Sequence, residues 1–233
     1  MKKLIKFCEF LYHKCRLSLK VNNLKVDYAY TEKNKAFIKL RNEMLFCGRI
    51  SEQKDKKYYS LLVSRKTKKN LPFACFLLAL DIIIRYDEGR LKIGGPKKEY
   101  DYKVKEGDVI AEMGAYMGHY TLYLAKKTGK TGKVVAIEPM DDNLEYLHRN
   151  IKLNQLNNVN IVEKGVWEKK QTLTIKREKN DYQSASLTMD KPGKMNFSVL
   201  VDSLDNILDQ NRVKKVDFMI IQLNGVELKA LHG

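Results

Sequence analysis

Two acidic residues accompany a pair of glycines in the second half of this chain, and their types and spacing indicate a ligand-binding loop. Glu112 lies two positions before Gly114, and Gly118 follows four positions later. Apolar residues before the loop predict a strand, and helical spacing after it predicts a helix, so a ligand can approach the backbone N–H groups between them. Glu138 lies twenty residues beyond Gly118, at the end of the next predicted strand.

The charges and hydrogen-bonding groups around this loop favour one class of ligand. A carboxylate at Glu138 has two oxygens, which can accept both hydroxyl protons of a ribose. The GxxxG spacing lacks the diphosphate cradle of a GxGxxG loop, and a negative charge at Glu112 would repel a pyrophosphate but attract an ammonium group. S-adenosylmethionine carries an ammonium group, a sulfonium cation and a ribose. The pattern therefore predicts this cofactor rather than NAD, the alternative being a structural glycine turn beside an incidental acid.

From Asp108 onward, strand-like and helix-like segments alternate, which predicts a parallel α/β sheet with right-handed crossovers. In such sheets the ligand lies at the carboxyl ends of the strands, where the glycine loop and Glu138 are expected. The predicted strands are DVIAEMG, KVVAIEP, NVNIVEKGVW, QTLTIKRE and VDFMIIQLNG, and the predicted helices are HYTLYLAKKT, DDNLEYLHRNIKLN and VELKALHG. We therefore expect a parallel, Rossmann-like α/β sheet with its ligand site at that edge.

The chain is predicted to have two parts, a basic and mostly helical N-terminal region over 1–86 and the cofactor-binding domain over 87–233. The N-terminal patterns predict a weak strand over 24–30, helices around 33–47 and 56–68, and a buried helix over 71–84. The last segment contains Asp81 and falls short of the ~20 apolar residues that a membrane-spanning helix needs.

The net charge of +16 is concentrated in the first half of the chain. Residues 1–105 contain 26 Lys and Arg against 11 Asp and Glu, whereas residues 106–233 contain 18 against 17. This asymmetry predicts that the N-terminal region contacts an anionic membrane surface or nucleic acid, unless its lysines are simply solvated. The densest basic cluster is Arg65, Lys66, Lys68 and Lys69.

The four cysteines show no CxxC spacing, so the sequence predicts neither a disulfide framework nor a metal site. The first apolar run is interrupted by charged residues, unlike that of a secretory signal. We expect a cytoplasmic protein, with peripheral contact to a membrane as an option.

Residues 88–233 resemble FkbM-type S-adenosylmethionine-dependent methyltransferases. The resemblance rests on a GAxxGxYT loop, the Glu-Pro pair that ends the second strand, an N-x-x-LN helix end, the SASL at 184–187 and the closing segment 216–233. It implies a class I methyltransferase, Rossmann-like sheet, here expected to lack its C-terminal strands, and a metal-free O-methyltransferase whose acceptor is a hydroxyl group on a glycan or metabolite. It also implies that the residues on these motifs bind the cofactor, namely Glu112, Gly114, Ala115, Gly118, Thr121 and Glu138.

The closing motif departs from that family. Gln222 and Asn224 stand where the family typically has carboxylates, and only Glu227 keeps the expected acid. Amides can orient a substrate but cannot take a proton at neutral pH, and a carboxylate in the first turn of a helix is a weak base. The candidate catalytic residues are therefore Gln222 and Asn224 as orienting groups and Glu227 as a weak base.

Two further side chains have open roles. His119 at the helix start is a second candidate base, although we expect it to be solvent-exposed. Trp167 could stack near the adenine, and a role in the core or in a lid is an equal alternative. Two other functions also stay open. One is an RNA methyltransferase with a basic RNA-binding region, for which the absence of an NPPY-like tetrapeptide after the last predicted strand disfavours base N-methylation. The other is a cofactor-binding module with little catalysis.

Overall fold

The structure is a computed structural model, and it describes residues 17–85, 102–177 and 195–232. The chain divides into two compact units, Met1–Glu88 and Gly89–Gly233. The boundary expected from the sequence, after residue 86, stays a prediction because its neighbours lie outside the described ranges.

The first unit contains a three-stranded antiparallel sheet in the order β1-β2-β3, with helices before and after it. Its elements are helix α1 (described over 17–23), β1 (Val26–Glu32), β2 (Lys35–Leu40), β3 (Leu45–Arg49), α2 (Lys56–Leu62), α3 (Arg65–Lys68) and α4 (Phe76–Arg85), with 3-10 turns at Gln53–Asp55 and Phe73–Cys75. The predicted strand near 24–30 and the predicted helices near 56–68 and 71–84 are present.

The predicted helix over 33–47 is wrong, because these residues form β2 and β3. Lys33 and Asn34 both have positive φ, and two such residues in succession make the tight turn of a β-hairpin. Ala36 and Ile38 are buried on one face of β2 and Phe37 on the other. With both faces covered, the apolar residues run together and lose the alternation that identifies a half-exposed strand. Consequently the described part of the N-terminal region is a mixed unit rather than a mostly helical one.

Helix α4 covers one face of this sheet. A Cβ at Gly48 on β3 would meet the side chain of Leu78, so the glycine allows the helix to lie close to the strand. Leu78 and Ile82 are fully buried. The apolar segment is therefore a buried helix, as predicted. Within the described ranges, the structure contains no helix with the length and apolarity to cross a membrane.

The second unit is built on a parallel four-stranded sheet in the order β10-β4-β5-β6, which confirms the predicted fold. Glu112 on β4 lies opposite Ala136 on β5 and Ile220 on β10, so the carboxyl ends of the strands meet at one edge. The elements of this sheet and its helices are β4 (Val109–Met113), α5 (His119–Thr128), β5 (Lys133–Ile137), α6 (Asp141–Leu153), β6 (Val159–Val162), β10 (Phe218–Ile221) and α8 (Glu227–Leu231).

A second, smaller sheet in this unit has the order β7-β9-β8. Its elements, with the helix that follows them, are β7 (Gly165–Val166), β8 (Gln171–Arg177), β9 (Met195–Asp202) and α7 (Leu204–Gln210). The segment predicted as a single third strand is divided between β6 and β7, which belong to different sheets. Sequence reasoning missed β9 and α7, although Ser203 is a helix N-cap that accepts a hydrogen bond from the Asn206 N–H. The SASL segment at 184–187 lies outside the described residues.

The two faces of β4 have different surroundings. Met113 packs with Val135 and Ile137 in an apolar cluster that includes Leu204 and Ile207 of α7. Glu112, one position earlier, points to the opposite face, where α5 lies. The helices thus cover both faces and leave the carboxyl edge of the strands for the cofactor loop.

Candidate cofactor site

The glycine loop between β4 and α5 is held in an unusual backbone conformation. Gly114, Tyr116 and Gly118 all have positive φ, at 87°, 55° and 77°. The N–H groups of Gly114 and Ala115 both donate to the Ile137 carbonyl at the end of β5, at 2.9 and 3.0 Å. The loop is therefore tied to the neighbouring strand end, and its tight path requires glycine at two of these positions.

Both glycines allow close packing by the protein itself. A Cβ on Gly114 would overlap the Gln222 carbonyl of the loop after β10, and a Cβ on Gly118 would overlap the Leu147 side chain of α6. Sequence reasoning left Gly118 open between helix packing and cofactor approach. The structure places it against α6, and the cofactor-binding role of Gly118 stays a prediction.

A pair of glycine substitutions separates steric overlap from backbone strain. Gly118→Ala should lower the free energy of unfolding by roughly 2–5 kcal/mol, because it adds a clash with Leu147 to the cost of a left-handed alanine. Gly225→Ala is the control, since Gly225 has φ 96° and a Cβ there would meet nothing within 4 Å, and it should cost roughly 1 kcal/mol. Urea unfolding followed by fluorescence of Trp167, the single tryptophan, would measure both. Equal losses would contradict the packing role of Gly118.

Glu138, the predicted ribose ligand, follows β5 and is buried beneath the glycine loop. Its Oε2 accepts the Tyr116 N–H at 2.8 Å, and its Oε1 accepts the Met140 N–H and the Asn143 Nδ2, both at 3.1 Å. Burial raises the pKa of the Glu138 carboxyl, and these three hydrogen bonds oppose that rise. Each carboxylate oxygen can accept about two hydrogen bonds, so Oε2 retains capacity for a ribose hydroxyl. The carboxylate therefore fits the predicted cofactor and also orders the loop.

Two asparagines in the site were not identified as functional from the sequence. Asn143, in the first turn of α6, donates to Glu138. Asn150, further along the same helix, is fully buried and donates from Nδ2 to the Met117 carbonyl at 2.7 Å. Asn150 opens the N-x-x-LN helix end, and its contact explains that motif physically, because it fastens the glycine loop to α6.

Glu112 and Thr121 were both predicted to bind the methionine side of the cofactor, and the structure brings them together. The Thr121 hydroxyl donates to Oε2 of Glu112 at 2.6 Å, and both side chains are buried between β4 and α5. Thr121 thus positions Glu112, and direct contact of either residue with the cofactor stays a prediction. The pKa of the neighbouring Tyr120 is raised, mainly by burial and to a smaller extent by the negative charge of Glu112.

The three candidate catalytic residues lie beyond β10. Asn224 has φ 55°, so the alternation that would place Gln222 and Asn224 on one side of an extended strand does not hold there. Glu227 accepts the N–H groups of Leu223 and Gly225 at 3.1 and 3.3 Å, which ties its carboxylate to this loop. Burial acts to raise the pKa of Glu227, but backbone hydrogen bonds from its own N–H, Gly225 and Leu223 bring the net pKa below its ordinary value. A weak base is thus consistent with the geometry, and the catalytic roles stay predictions.

His119 and Trp167, whose roles the sequence left open, both lie in the second unit. His119 is fully buried, so the expectation that it is solvent-exposed is wrong. It begins α5 directly after the glycine loop. Trp167 packs against the apolar cluster of Met140, Val199 and Val201, and its backbone N–H donates to the Asp202 carbonyl at 2.9 Å. It is therefore a half-buried side chain packed against this cluster, and its contact with an adenine stays a prediction.

Known proteins are similar to parts of this chain. The family model of the TRM5/TYW2 methyltransferase domain matches residues 92–179. The tRNA(Phe) (4-demethylwyosine(37)-C(7)) aminocarboxypropyltransferase of Methanocaldococcus jannaschii is 30% identical over 118 residues, which cover 50% of this chain and 45% of that relative. The chain thus spans less than half the length of this curated relative.

Solved structures match at lower overall similarity. A putative rRNA-methylase from Clostridium thermocellum is 25% identical, with 27% of this chain and 35% of that chain covered and a TM-score of 0.26. Methyltransferase FkbM from Methylobacillus flagellatus KT is 19% identical, with 56% and 30% covered and a TM-score of 0.40. Neither likeness decides a family.

The fold and the family match define the class of this protein. The sheet order, with a glycine loop after β4 and an acid after β5, is that of a class I S-adenosylmethionine-dependent methyltransferase, the class to which the matching domain belongs. The chain is an enzyme of this class, and the prediction of S-adenosylmethionine as its cofactor is confirmed.

The resemblance to the FkbM-type family is wrong. The matching family model is that of TRM5/TYW2 methyltransferases, and the curated relative is a tRNA-modifying enzyme. The physical reason lies in the residues that carried the resemblance. The glycine loop is hydrogen-bonded to Glu138 and to Asn150. The loop and Glu138 lie at the carboxyl edge of the strands, where this fold class binds its cofactor. Different families that bind the same cofactor share this part of the fold, and they differ in the residues that face the acceptor. Gln222 and Asn224, on the acceptor side, already departed from the FkbM-type pattern.

Metal ligation has no candidate in the part of the chain that the structure describes, where no three His, Cys, Asp or Glu side chains are grouped to hold an ion. Cys47 and Cys75 are buried thiols in the first unit. Burial raises the pKa of the Cys75 thiol, which keeps it protonated near neutral pH.

Proposed function

We propose that this chain modifies tRNA by transferring the methyl group of S-adenosylmethionine to a nucleotide base. The observation that carries the proposal is the TRM5/TYW2 match, which spans the glycine loop, Glu138 and α6. The Methanocaldococcus relative, named for a tRNA substrate, supports the same acceptor class. RNA methylation, the alternative interpretation of the sequence, thereby replaces a glycan or metabolite hydroxyl as the favoured acceptor.

A basic surface on the first unit supports an RNA partner. Residues 51–70 contain seven Lys and Arg against two Asp and Glu. We define the α2–α3 basic cluster as the exposed side chains Lys56, Lys57, Arg65, Lys66 and Lys69. Helix α3 carries three basic residues within a single turn and has no acid in its first turn. Such a concentration of cations attracts a phosphate backbone independently of nucleotide sequence.

The reaction asks the protein mainly for alignment. The bound cofactor supplies an activated sulfonium, from which a nucleophile can take the methyl group. Glu138 and the glycine loop would hold the adenosine end in register, while Gln222 and Asn224 would orient the acceptor base by hydrogen bonds. Neither amide takes a proton at neutral pH, and the lowered pKa of Glu227 makes it a weak base. Positioning of the two reactants therefore accounts for catalysis better than proton abstraction.

A second activity follows from the name of the curated relative, which transfers an aminocarboxypropyl group. That group and the methyl group are bonded to the same sulfonium sulfur. Which of them is transferred depends on the carbon that faces the acceptor, so the same site could support either reaction. We favour methyl transfer because the matching domain is described as a methyltransferase domain.

Labelled cofactor distinguishes these activities. The purified chain is incubated with unmodified tRNA and S-adenosylmethionine labelled either on the methyl carbon or on the carboxyl carbon. We expect methyl label in the RNA and none from the carboxyl carbon. Carboxyl label in the RNA would instead establish aminocarboxypropyl transfer. Absence of both labels, in a preparation that binds the cofactor by calorimetry, would overturn the proposal.

Salt dependence tests the basic surface. Affinity for tRNA should fall steeply as salt rises, because bound cations are released from the RNA, and Arg65→Ala with Lys66→Ala and Lys69→Ala should reduce the slope of log affinity against log salt by roughly two to three. The matched control replaces Lys126, Lys130 and Lys214, three exposed lysines of the neutral half, by alanine. An equal reduction in both triple variants, measured by fluorescence anisotropy, would show that the cluster has no special role.

A further inference from the structure

We propose that β1 and β2 carry a stacking platform for unpaired RNA bases, formed by Tyr28 and Tyr30. The proposal rests on the proposed function, since RNA is its ligand, and it names a surface for that ligand outside the cofactor site. Large aromatic side chains on a sheet face are a common way to bind single-stranded nucleic acid, because every base has a face that can stack.

The two tyrosines lie side by side on one face of the sheet. They occupy alternate positions of β1, so both side chains project the same way. Their ring centroids are 6.1 Å apart, with an angle of 30° between the planes. Their exposed fractions are 48% and 39%. Two neighbouring aromatic rings are thus available on one surface, at a spacing that gives each of two successive bases its own ring.

The platform is supported from within the sheet. Tyr30 lies opposite Phe37 on β2, and the two rings stack at a centroid distance of 4.7 Å and an angle of 6°. Phe37 is buried, as is Cys47, which lies opposite it on β3. The aromatic stack thus runs from the buried part of the sheet to its surface at β1. Such backing fixes the orientation of Tyr30 and lowers the entropy that a binding surface must lose.

Charges around the rings favour a polyanion over an apolar partner. Lys25 and Lys33 are exposed at the two ends of β1. Lys39 lies opposite Tyr28, and Lys35 lies opposite Glu32. Residues 25–39 contain four lysines against two acids, Asp27 and Glu32, so the hairpin is net positive. Phosphates on either side of two stacked bases would meet lysines, whereas a hydrophobic protein surface would have to bury them.

Ring-conserving and ring-removing variants test the platform. Binding of a fluorescent single-stranded RNA is measured by anisotropy in the full chain. Tyr28→Leu with Tyr30→Leu should weaken binding by about tenfold or more, whereas Tyr28→Phe with Tyr30→Phe should leave it within about twofold, because stacking needs the ring and not the hydroxyl. The salt slope should be unchanged in both, since neither removes a charge. Thermal unfolding of each variant checks that the sheet remains folded.

The control is Tyr58→Leu, which removes an exposed tyrosine of α2 (57% exposed) from the same unit. It should bind the RNA as the parent does. Equal losses for Tyr58→Leu and the double leucine variant, or equal binding by the phenylalanine and leucine pairs, would overturn the platform. In a perfect RNA duplex the bases are paired and cannot stack on the rings. If the double leucine variant bound such a duplex more weakly than the parent does, this would also contradict the platform.

The failure of this inference can be told from the failure of the proposed function. If the leucine pair binds RNA normally while the parent labels tRNA, the platform is wrong and the function stands. If the leucine pair loses RNA binding while no label enters tRNA, the platform stands and the function is wrong.

Discussion

Replacing Glu138 by alanine is expected to weaken S-adenosylmethionine binding by about hundredfold or more. The substitution removes the predicted acceptor of a ribose hydroxyl, and it also leaves the Tyr116 N–H, the Met140 N–H and the Asn143 amide without this acceptor. Each buried donor left unsatisfied costs about 1–3 kcal/mol, so the glycine loop should lose its order before the cofactor binds. Isothermal calorimetry measures the affinity, and hydrogen exchange of the loop amides measures its order.

Two controls isolate the cause of this effect. Glu163→Ala removes an acid at the end of the adjacent strand β6, where its exposed carboxylate pairs with His148 at 2.7 Å, and should change affinity little because exposed ion pairs contribute about 0–1 kcal/mol. Glu138→Gln keeps one acceptor oxygen for Met140 and Asn143 but turns an N–H group toward the Tyr116 N–H. The affinity of Glu138→Gln for S-adenosylmethionine should therefore lie between that of the parent and that of Glu138→Ala. Parent-like affinity in Glu138→Ala would refute the assignment.

Replacing Asp202 by alanine should lower the free energy of unfolding of the second unit by about 3 kcal/mol. Its carboxylate, 1% exposed at the end of β9, pairs with Lys164 at 3.0 Å, and Lys164 is 20% exposed. The same carboxylate accepts the Ser203 N–H and the Asn206 side chain at 3.0 and 3.1 Å. Removing one partner of a buried pair costs roughly 3–5 kcal/mol, and the partial exposure of Lys164 favours the lower end. Urea unfolding monitored through Trp167 fluorescence would measure the loss.

A double-mutant cycle completes this test. Lys164→Met with Asp202→Leu should cost less than the sum of the single variants, because no charge remains buried alone. Glu168→Ala is the control, since Glu168 pairs with Lys229 at 3.4 Å on the surface, and should change stability by less than about 0.5 kcal/mol. Additive losses in the cycle would contradict the ion pair.

The pH dependence follows from the pKa of Asp202. Burial acts to raise this pKa, but the hydrogen bonds from Lys164 and Asn206, with the Lys164 charge, bring it below its ordinary value. A carboxyl whose folded pKa is depressed stabilises the fold above its unfolded pKa of about 4 and loses that contribution as the pH falls through the folded value. The stability difference between the parent and Asp202→Asn should thus be full at neutral pH and shrink below about pH 4. A difference that stays constant down to strongly acid pH would exclude this origin.

The sequence by itself determined most of the second unit. Strand β4, helix α5, strand β5 and helix α6 were all predicted, because each has a local signal: an apolar run, a glycine turn or acids at a helix start. Glu138 was placed at a strand end beside the glycine loop for the same reason, and S-adenosylmethionine followed from its charge and that of Glu112. Such signals lie within a few residues of each other, so they can be recognised without knowing the fold.

Only the tertiary structure decided which of these residues touch. Gly118 packs on Leu147, Thr121 donates to Glu112, and Asn150 fastens the loop, and each contact joins residues from different elements. The same limit explains the errors. Residues 33–47 were predicted as a helix because burial of both sheet faces removes the alternation of a strand, and the predicted third strand was divided because β7 pairs with the distant β9. Pairing and burial depend on partners far along the chain, and a local pattern carries no information about them.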